Sequence, residues 1–120
     1  MTRHDKGRIG EELAARYLEE RGLQILDRNF RCPLGEIDLI AQDGRTLVFV
    51  EVKSRYGKGF GLPQEAVTHA KRRKLTLLAQ WYLKSRALDT GRARFDVLGI
   101  VWSGKGPELT WIVNAFEATS

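Results

Sequence analysis

Three side chains in this 120-residue sequence have the types and spacing to do chemistry together: Asp38, Glu51 and Lys53. Glu51 and Lys53 stand two apart in Val48-Phe49-Val50-Glu51-Val52-Lys53, so an extended strand projects both from one face. Asp38 lies in Gly35-Glu36-Ile37-Asp38-Leu39-Ile40-Ala41, on the far side of a hairpin signal at Asp43-Gly44. If Asp43-Gly44 is the two-residue turn, Asp38 pairs with Phe49 and sits diagonal to Glu51. If the turn is Gly44-Arg45, Asp38 lies directly opposite Glu51. Either register puts Asp38, Glu51 and Lys53 on one sheet face, and a slip of one residue would separate them. Carboxylates crowded on an apolar face lose hydration and repel each other unless a cation compensates. One reading is an ion pair, with Lys53 neutralising Glu51 and Asp38 capping a turn. The other is a Mg2+ site, because that ion takes a few hard oxygen ligands and leaves room for water and phosphate. Buried ion pairs seldom stabilise enough to be expected by default, which favours the metal.

The elements that hold these residues follow from the pattern around them. Ile9, Leu13, Ala14, Tyr17 and Leu18 recur at helical spacing between acidic and basic residues, and Gly22 stops that helix. Leu23 to Asn29 reads as a short strand, followed by a turn at Pro33 and Gly35 and a strand from Glu36 to Ala41. Leu47 to Lys53 is apolar on both faces, as in a central strand covered on both sides. Tyr56 to Leu62 is a glycine-rich loop. A long helix starts between Pro63 and Thr68 and runs to about Arg86, with both residues acceptable as its beginning. Arg94 to Val101 and Leu109 to Val113 are two further strands around a turn at Ser103 to Pro107. The order αβββαββ gives a meander and then a helix able to cross over to a parallel fourth strand. The expected architecture is a mixed α/β layer fold in a single domain, residues 1–120.

Composition narrows the function. The chain is 42% hydrophobic and 29% charged, with one cysteine, Cys32, which suits a compact soluble domain in a reducing cytoplasm. Its longest apolar run, Leu47 to Val50, is far below the roughly 20 residues of a membrane helix, and no apolar segment follows the charged N-terminus. The net charge of +5 is unevenly spread: residues 52–94 hold 11 basic and 2 acidic side chains, a net of +9, while the flanking segments are each −2. Such a concentration suits a phosphate-rich partner, although solubility alone also enriches lysine and arginine. With only His4 and His69 in the chain, a histidine-based nuclease or zinc centre has little support.

Asp38, twelve intervening residues, and Glu51-Val52-Lys53 resemble the PD-(D/E)XK nuclease signature, with Ile37 where proline is usual. Taken with Gly7-Arg8-Ile9-Gly10-Glu11, Arg28-Asn29-Phe30-Arg31, Gly35 to Ala41 and Arg94-Phe95-Asp96-Val97, the chain is similar over nearly its whole length to the YraN-like family, itself similar in fold to archaeal Holliday junction resolvases. The resemblance implies a restriction-endonuclease-like three-layer fold and a Mg2+- or Mn2+-dependent endonuclease acting on DNA, branched or damaged. It implies Asp38 and Glu51 as metal ligands, Lys53 as the catalytic lysine and Glu11 as an additional acidic site residue. On Glu11 the plain reading is a first-turn acid facing the helix dipole. The competing functions are a DNA-binding module that does not cleave and an interaction protein with an ion-pair network in place of the metal.

Lys71-Arg72-Arg73-Lys74 spans a full helical turn and cannot all face one way; Lys71 and Lys74, neighbours on one face, are the expected phosphate contacts, joined by Arg55 and Lys58. Gly57-Lys58-Gly59-Phe60-Gly61 has the wrong spacing for a dinucleotide-binding loop. Arg94 and Asp96 read as structural. Trp102, Trp111, Ile112 and Phe116 close the core or leave apolar surface for a weak two-fold homodimer.

Overall fold

The computed structural model describes residues 3–57, 59, 61–86 and 92–119, with the backbone alone at residues 3–6. Lys58, expected among the phosphate contacts, and His4's side chain lie outside the described residues.

The elements are α1 (Arg3–Glu20), β1 (Gln24–Cys32), β2 (Gly35–Asp43), β3 (Thr46–Tyr56), a one-turn 3-10 helix (Pro63–Ala66), α2 (His69–Ser85), β4 (Ala93–Ser103) and β5 (Gly106–Phe116). The five strands form one sheet in chain order, antiparallel except for the parallel pair β3–β4. One helix covers each face, giving the expected restriction-endonuclease-like three-layer α/β fold. Among the described residues no helix is long and apolar enough to cross a membrane.

On one face Ala14, Ala15 and Leu18 of α1 pack against Leu39, Ala41, Val48, Val50, Leu98 and Ile100. The helix comes close because Gly10 is there: a Cβ would sit 3.2 Å from Ile100 Cδ1. It ends as the sequence indicates. Gly22, at φ +94°, lets its own N–H reach Glu19 O and the Leu23 N–H reach Leu18 O, satisfying two terminal carbonyls. On the other face Leu75, Leu78, Ala79 and Tyr82 of α2 cover Ile40, Leu47, Phe49, Phe95 and Val97. A row of rings crosses this layer, with centroid spacings of 5.1 Å for Phe30–Tyr82, 5.9 Å for Tyr82–Phe49, 5.7 Å for Phe49–Phe95 and 5.0 Å for Phe95–Phe116.

Both acceptable starts of the second helix are used. Pro63 opens the separate 3-10 turn, and Thr68 caps α2, its Oγ1 accepting from the Lys71 N–H. The β2–β3 hairpin turns on Gly44-Arg45, with Asp43 paired to Thr46 and Leu39 to Val50. All five strands reach beyond their expected ends, because polar and apolar residues alike continue the ladders, as at Phe30 to Cys32 in β1 and Asn114 to Phe116 in β5.

Two asparagines in the left-handed region, Asn29 (φ 52°) and Asn114 (φ 53°), mark where side-chain alternation is interrupted. The second is organised by Asp96, which is fully buried. Its carboxylate accepts from Arg94 Nε at 3.0 Å, Trp111 Nε1 at 2.9 Å and the Asn114 backbone N–H at 2.9 Å, across the register shift of β5. Arg94 also reaches Asp43 at 3.0 Å. The structural reading of Arg94 and Asp96 thus fits. It also accounts for the C-terminal aromatics: Trp111 is held by Asp96 and stands edge-on to Tyr17, Phe116 is core, and Val113 is left exposed.

Removing one partner of a buried ion pair costs about 3–5 kcal/mol, because the other charge is left without compensation. Asp96→Ala is therefore expected to destabilise the fold by that order, read as a lowered urea midpoint with an unchanged slope. A loss below about 1 kcal/mol would show that Arg94 finds other partners.

Candidate active site

The face of β3 under α2 carries Leu47 and Phe49, and alternation continues it through Glu51, Lys53 and Arg55. Glu51 is buried, whereas Lys53 and Arg55 are half-buried. On β2 the alternation breaks beside Asp38. Leu39 faces α1 and Ile40 faces α2, yet Ile37 also packs on the α2 side. The neighbouring strand shows the same break. Arg28 reaches Glu12 of α1, while Phe30, two residues on, meets Tyr82 of α2 edge-on, and Asn29 between them holds φ 52°. Here β2 leaves its ladder with β3: the last pair is Leu39 with Val50. The Asp38 carboxylate then accepts the Val52 N–H at 2.8 Å, tying the two strands where backbone pairing has ended.

Asp38 and Glu51 are thus brought together, and both hold their protons more tightly than ordinary carboxyls. Burial is the main cause for each. It pushes Asp38 up to about 6, the Val52 N–H opposing it and the charges of Glu11 and Glu36 adding to it. Glu51 is pushed up to about 7 by burial and by Asp38, with Lys71 and Lys53 pulling it down. Glu51 Oε1 has Lys71 Nζ at 3.9 Å, beyond hydrogen-bond length, and Glu51 Oε2 is buried without any partner. Glu11 and Glu36 add their charges from nearby, Glu36 itself paired with Arg31 at 3.2 Å, while Glu51 has one long contact to an amine.

Glu11 belongs to this group by position. Its Oε2 accepts from Asn29 Nδ2 at 3.1 Å, and its charge is felt at Asp38. Lys53 does not form the ion pair with Glu51 that one reading of the sequence offered; Lys71 does. Lys71 therefore points into the site rather than to open solvent. Lys74 is exposed and lies over Gly35, whose added Cβ would meet its Cε at 3.1 Å. Glu36 was not among the candidates, although its place two residues before Asp38 on a strand was a usable signal.

Among the described residues, no three His, Cys, Asp or Glu side chains form a ready-made metal cage. Two carboxylates with an unsatisfied buried oxygen are nonetheless a fitting donor set for Mg2+ or Mn2+. Such ions take one or two protein carboxylates and keep their remaining positions for water and phosphate. All-oxygen donors with excess negative charge would suit a hard divalent cation better than zinc.

The raised carboxyls have a consequence for stability. As pH rises from about 4 the unfolded chain releases these protons first, so the metal-free fold loses stability until Asp38 and Glu51 ionise as well. Asp38→Asn and Glu51→Gln remove that loss. In chelator, the melting temperature of each variant relative to wild type should rise between pH 4 and 8, by an amount equivalent to a few kcal/mol for the pair. Millimolar Mg2+ or Mn2+ at pH 8 should stabilise wild type and leave the double variant unmoved. A variant advantage that shrinks with rising pH would contradict the assignment.

Residues 10–100 match the pattern of a family described as "Uncharacterised protein family UPF0102". A UPF0102 protein of Geobacter metallireducens is 51% identical over 120 residues, covering 98% of both chains. Another, from Syntrophus aciditrophicus, is 48% identical over 111 residues, covering 92% of this chain and 87% of the relative. Among solved structures, Pyrococcus furiosus SfsA in complex with Ca2+ aligns with a TM-score of 0.45 and 15% identity. That alignment covers 88% of this chain but only 62% of SfsA. The length and identity of the sequence matches decide the relationship: this chain belongs to the UPF0102, or YraN-like, family.

Proposed function

We propose that the protein is a metal-dependent endonuclease of the PD-(D/E)XK type, hydrolysing DNA phosphodiester bonds in the cytoplasm. The observation that carries this reading is the buried, unpartnered Glu51 Oε2 beside Asp38, with Lys53 next along the same strand face. Asp38 and Glu51 would hold the cation, which when bound would supply polarisation of the scissile phosphate and a lowered pKa for the attacking water. Lys53, two residues from Glu51, places an ammonium against the charge that develops on the phosphate oxygens in the transition state. Lys71 favours the ionised form of Glu51 that can ligate. Glu11, held by Asn29, would add an acceptor on the α1 side for the attacking water. The basic segment from residue 52 to 94 supplies the phosphate contacts, and branched or damaged DNA is the substrate class that the family resemblance suggests.

One observation favours a second reading, an ion-pair network without chemistry: the Lys71–Glu51 contact. A single long contact to one oxygen leaves the buried Oε2 of Glu51 without a partner, so the cation site explains more.

The test is incubation of linear, flapped and four-way-junction DNA with Mg2+, Mn2+ or chelator. Cleavage should require the metal and vanish in Asp38→Asn and Glu51→Gln. Lys53→Ala should lower turnover by about 10²–10³-fold while metal binding persists, since an ammonium is no ligand. Calorimetry that finds no Mg2+ or Mn2+ binding at millimolar concentration would sink the proposal.

The two lysines of α2 should separate in their effects. Lys74→Gln should flatten the dependence of log affinity on log salt by about one phosphate contact. Lys71→Gln should change the slope less and shift the pH profile of cleavage upward, because Glu51 then loses the charge that favours its ionised form. If Lys74→Gln keeps the full slope, this face of α2 is not a DNA contact.

A further inference from the structure

The sheet face that carries Glu51 continues into a cavity. Along β3 it runs through Lys53 and Arg55, and beside these on β4 lie Gly99 and Val101. Here the roof is the 3-10 turn rather than α2. The turn is seated on Gly99, where a Cβ would stand 2.4 Å from Pro63 Cγ, so Pro63 rests on bare backbone. The space that remains is about 390 Å³, lined by Lys53 and Arg55 on the β3 side, Leu62 and Ala66 above, and Val101 and Thr110 toward β4 and β5. That volume lies near the lower end of small-ligand sites, roughly 300–1,000 Å³. Its walls are mainly apolar, its two cations share one wall, and the acid of its lining, Glu65, is engaged by the backbone, its Oε1 accepting the Leu62 N–H at 2.9 Å. The shape and charge suit a ligand with a flat apolar part and one anionic end. Lys53 belongs both to this cavity and to the candidate active site, so whatever fills the cavity is adjacent to the reacting phosphate.

We propose that the cavity receives one unpaired nucleotide of the substrate strand, next to the phosphodiester to be cut. Its phosphate lies toward Lys53 and Arg55, and its base lies among Leu62, Ala66 and Val101. This rests on the nuclease reading for the strand that enters, and it narrows the substrate. A base within an intact duplex is stacked and cannot pass beneath the Pro63 turn. Extrusion is least costly for a nucleotide already mismatched, bulged or single-stranded. The preferred DNA is therefore a duplex whose strand is locally unpaired beside the cut, which flaps, bulges and branch points share.

The experiment measures binding in chelator, where no cleavage occurs. Two duplexes of equal length are compared, one fully paired and one bearing a single bulged fluorescent purine. Wild type should bind the bulged duplex about tenfold more tightly, with the emission rise of a purine leaving its stack. Thr110→Phe fills the cavity from an exposed strand position, and Leu62→Asp places a negative charge at its exposed rim. Each should abolish the preference and the emission rise while keeping the affinity for paired DNA. Equal affinity of wild type for both duplexes, or a preference that survives both substitutions, would overturn the proposal. Cleavage is assayed separately with Mg2+. A protein that keeps the cavity-dependent preference but cuts nothing retains the pocket and loses the nuclease reading. One that cuts paired and bulged DNA alike does the reverse.

Discussion

The burial of two like charges side by side is the constraint around which this sheet is arranged. Asp38 and Glu51 sit where β2 departs from β3, and that departure brings them together without disrupting the ladder elsewhere. Between Asp43 and Leu39 the strands are regularly paired and bury Ile40 against Phe49. One residue later the backbone pairing stops and the Asp38 side chain takes over the Val52 N–H. That bond fixes the carboxylate, and its donor dipole offsets part of the desolvation cost. Glu51 has no such support. It stands just past the end of the β2–β3 ladder, paired with Val97 of β4 on one side, and no backbone N–H is turned to its carboxylate. Its environment penalises ionisation unless a cation arrives.

Several features of the site reach back to this one. The break in alternation on β1, at Asn29, turns Phe30 into the α2 layer and leaves Asn29 to hold Glu11 toward Asp38. The gap between the Pro63 turn and α2 matters in the same way. Because α2 starts only after the Thr68 cap, Lys71 falls in its first turn and approaches Glu51, while Lys74 lies one turn further along over Gly35.

Much of this was legible in the sequence because strand alternation has a period of two. Either hairpin register left Asp38, Glu51 and Lys53 on one face, so the convergence did not depend on knowing the turn. The amphipathic stripe and Gly22 likewise located α1. Other features depend on backbone states that alternation cannot encode. The left-handed φ of Asn29 reverses which face Phe30 takes, and nothing in Arg28-Asn29-Phe30-Arg31 distinguishes that from a continuous strand or a turn. The target of Lys71 depends on where a helix begins, and Pro63 and Thr68 were equally good starts until tertiary packing used both. The cavity depends on Pro63 meeting Gly99 across 36 positions of chain. A glycine in a strand signals close approach of something, but not of what.

Asp96 and Glu51 show how one kind of residue in one sheet takes two different roles. Both are acidic, both lie on central strands, and both are buried. Asp96 is surrounded by donors from three residues, Arg94, Trp111 and Asn114, so its charge is satisfied within the chain and anchors β5. Glu51 meets one distant amine and the charges of other acids. A fold that can satisfy Asp96 so fully does not lack the means to pair a buried carboxylate. Satisfying Glu51 in the same way would fill the oxygen positions that a divalent ion needs. On the proposed nuclease reading, the missing partner at Glu51 is room kept for a ligand from outside the chain, at a cost to stability that binding would return.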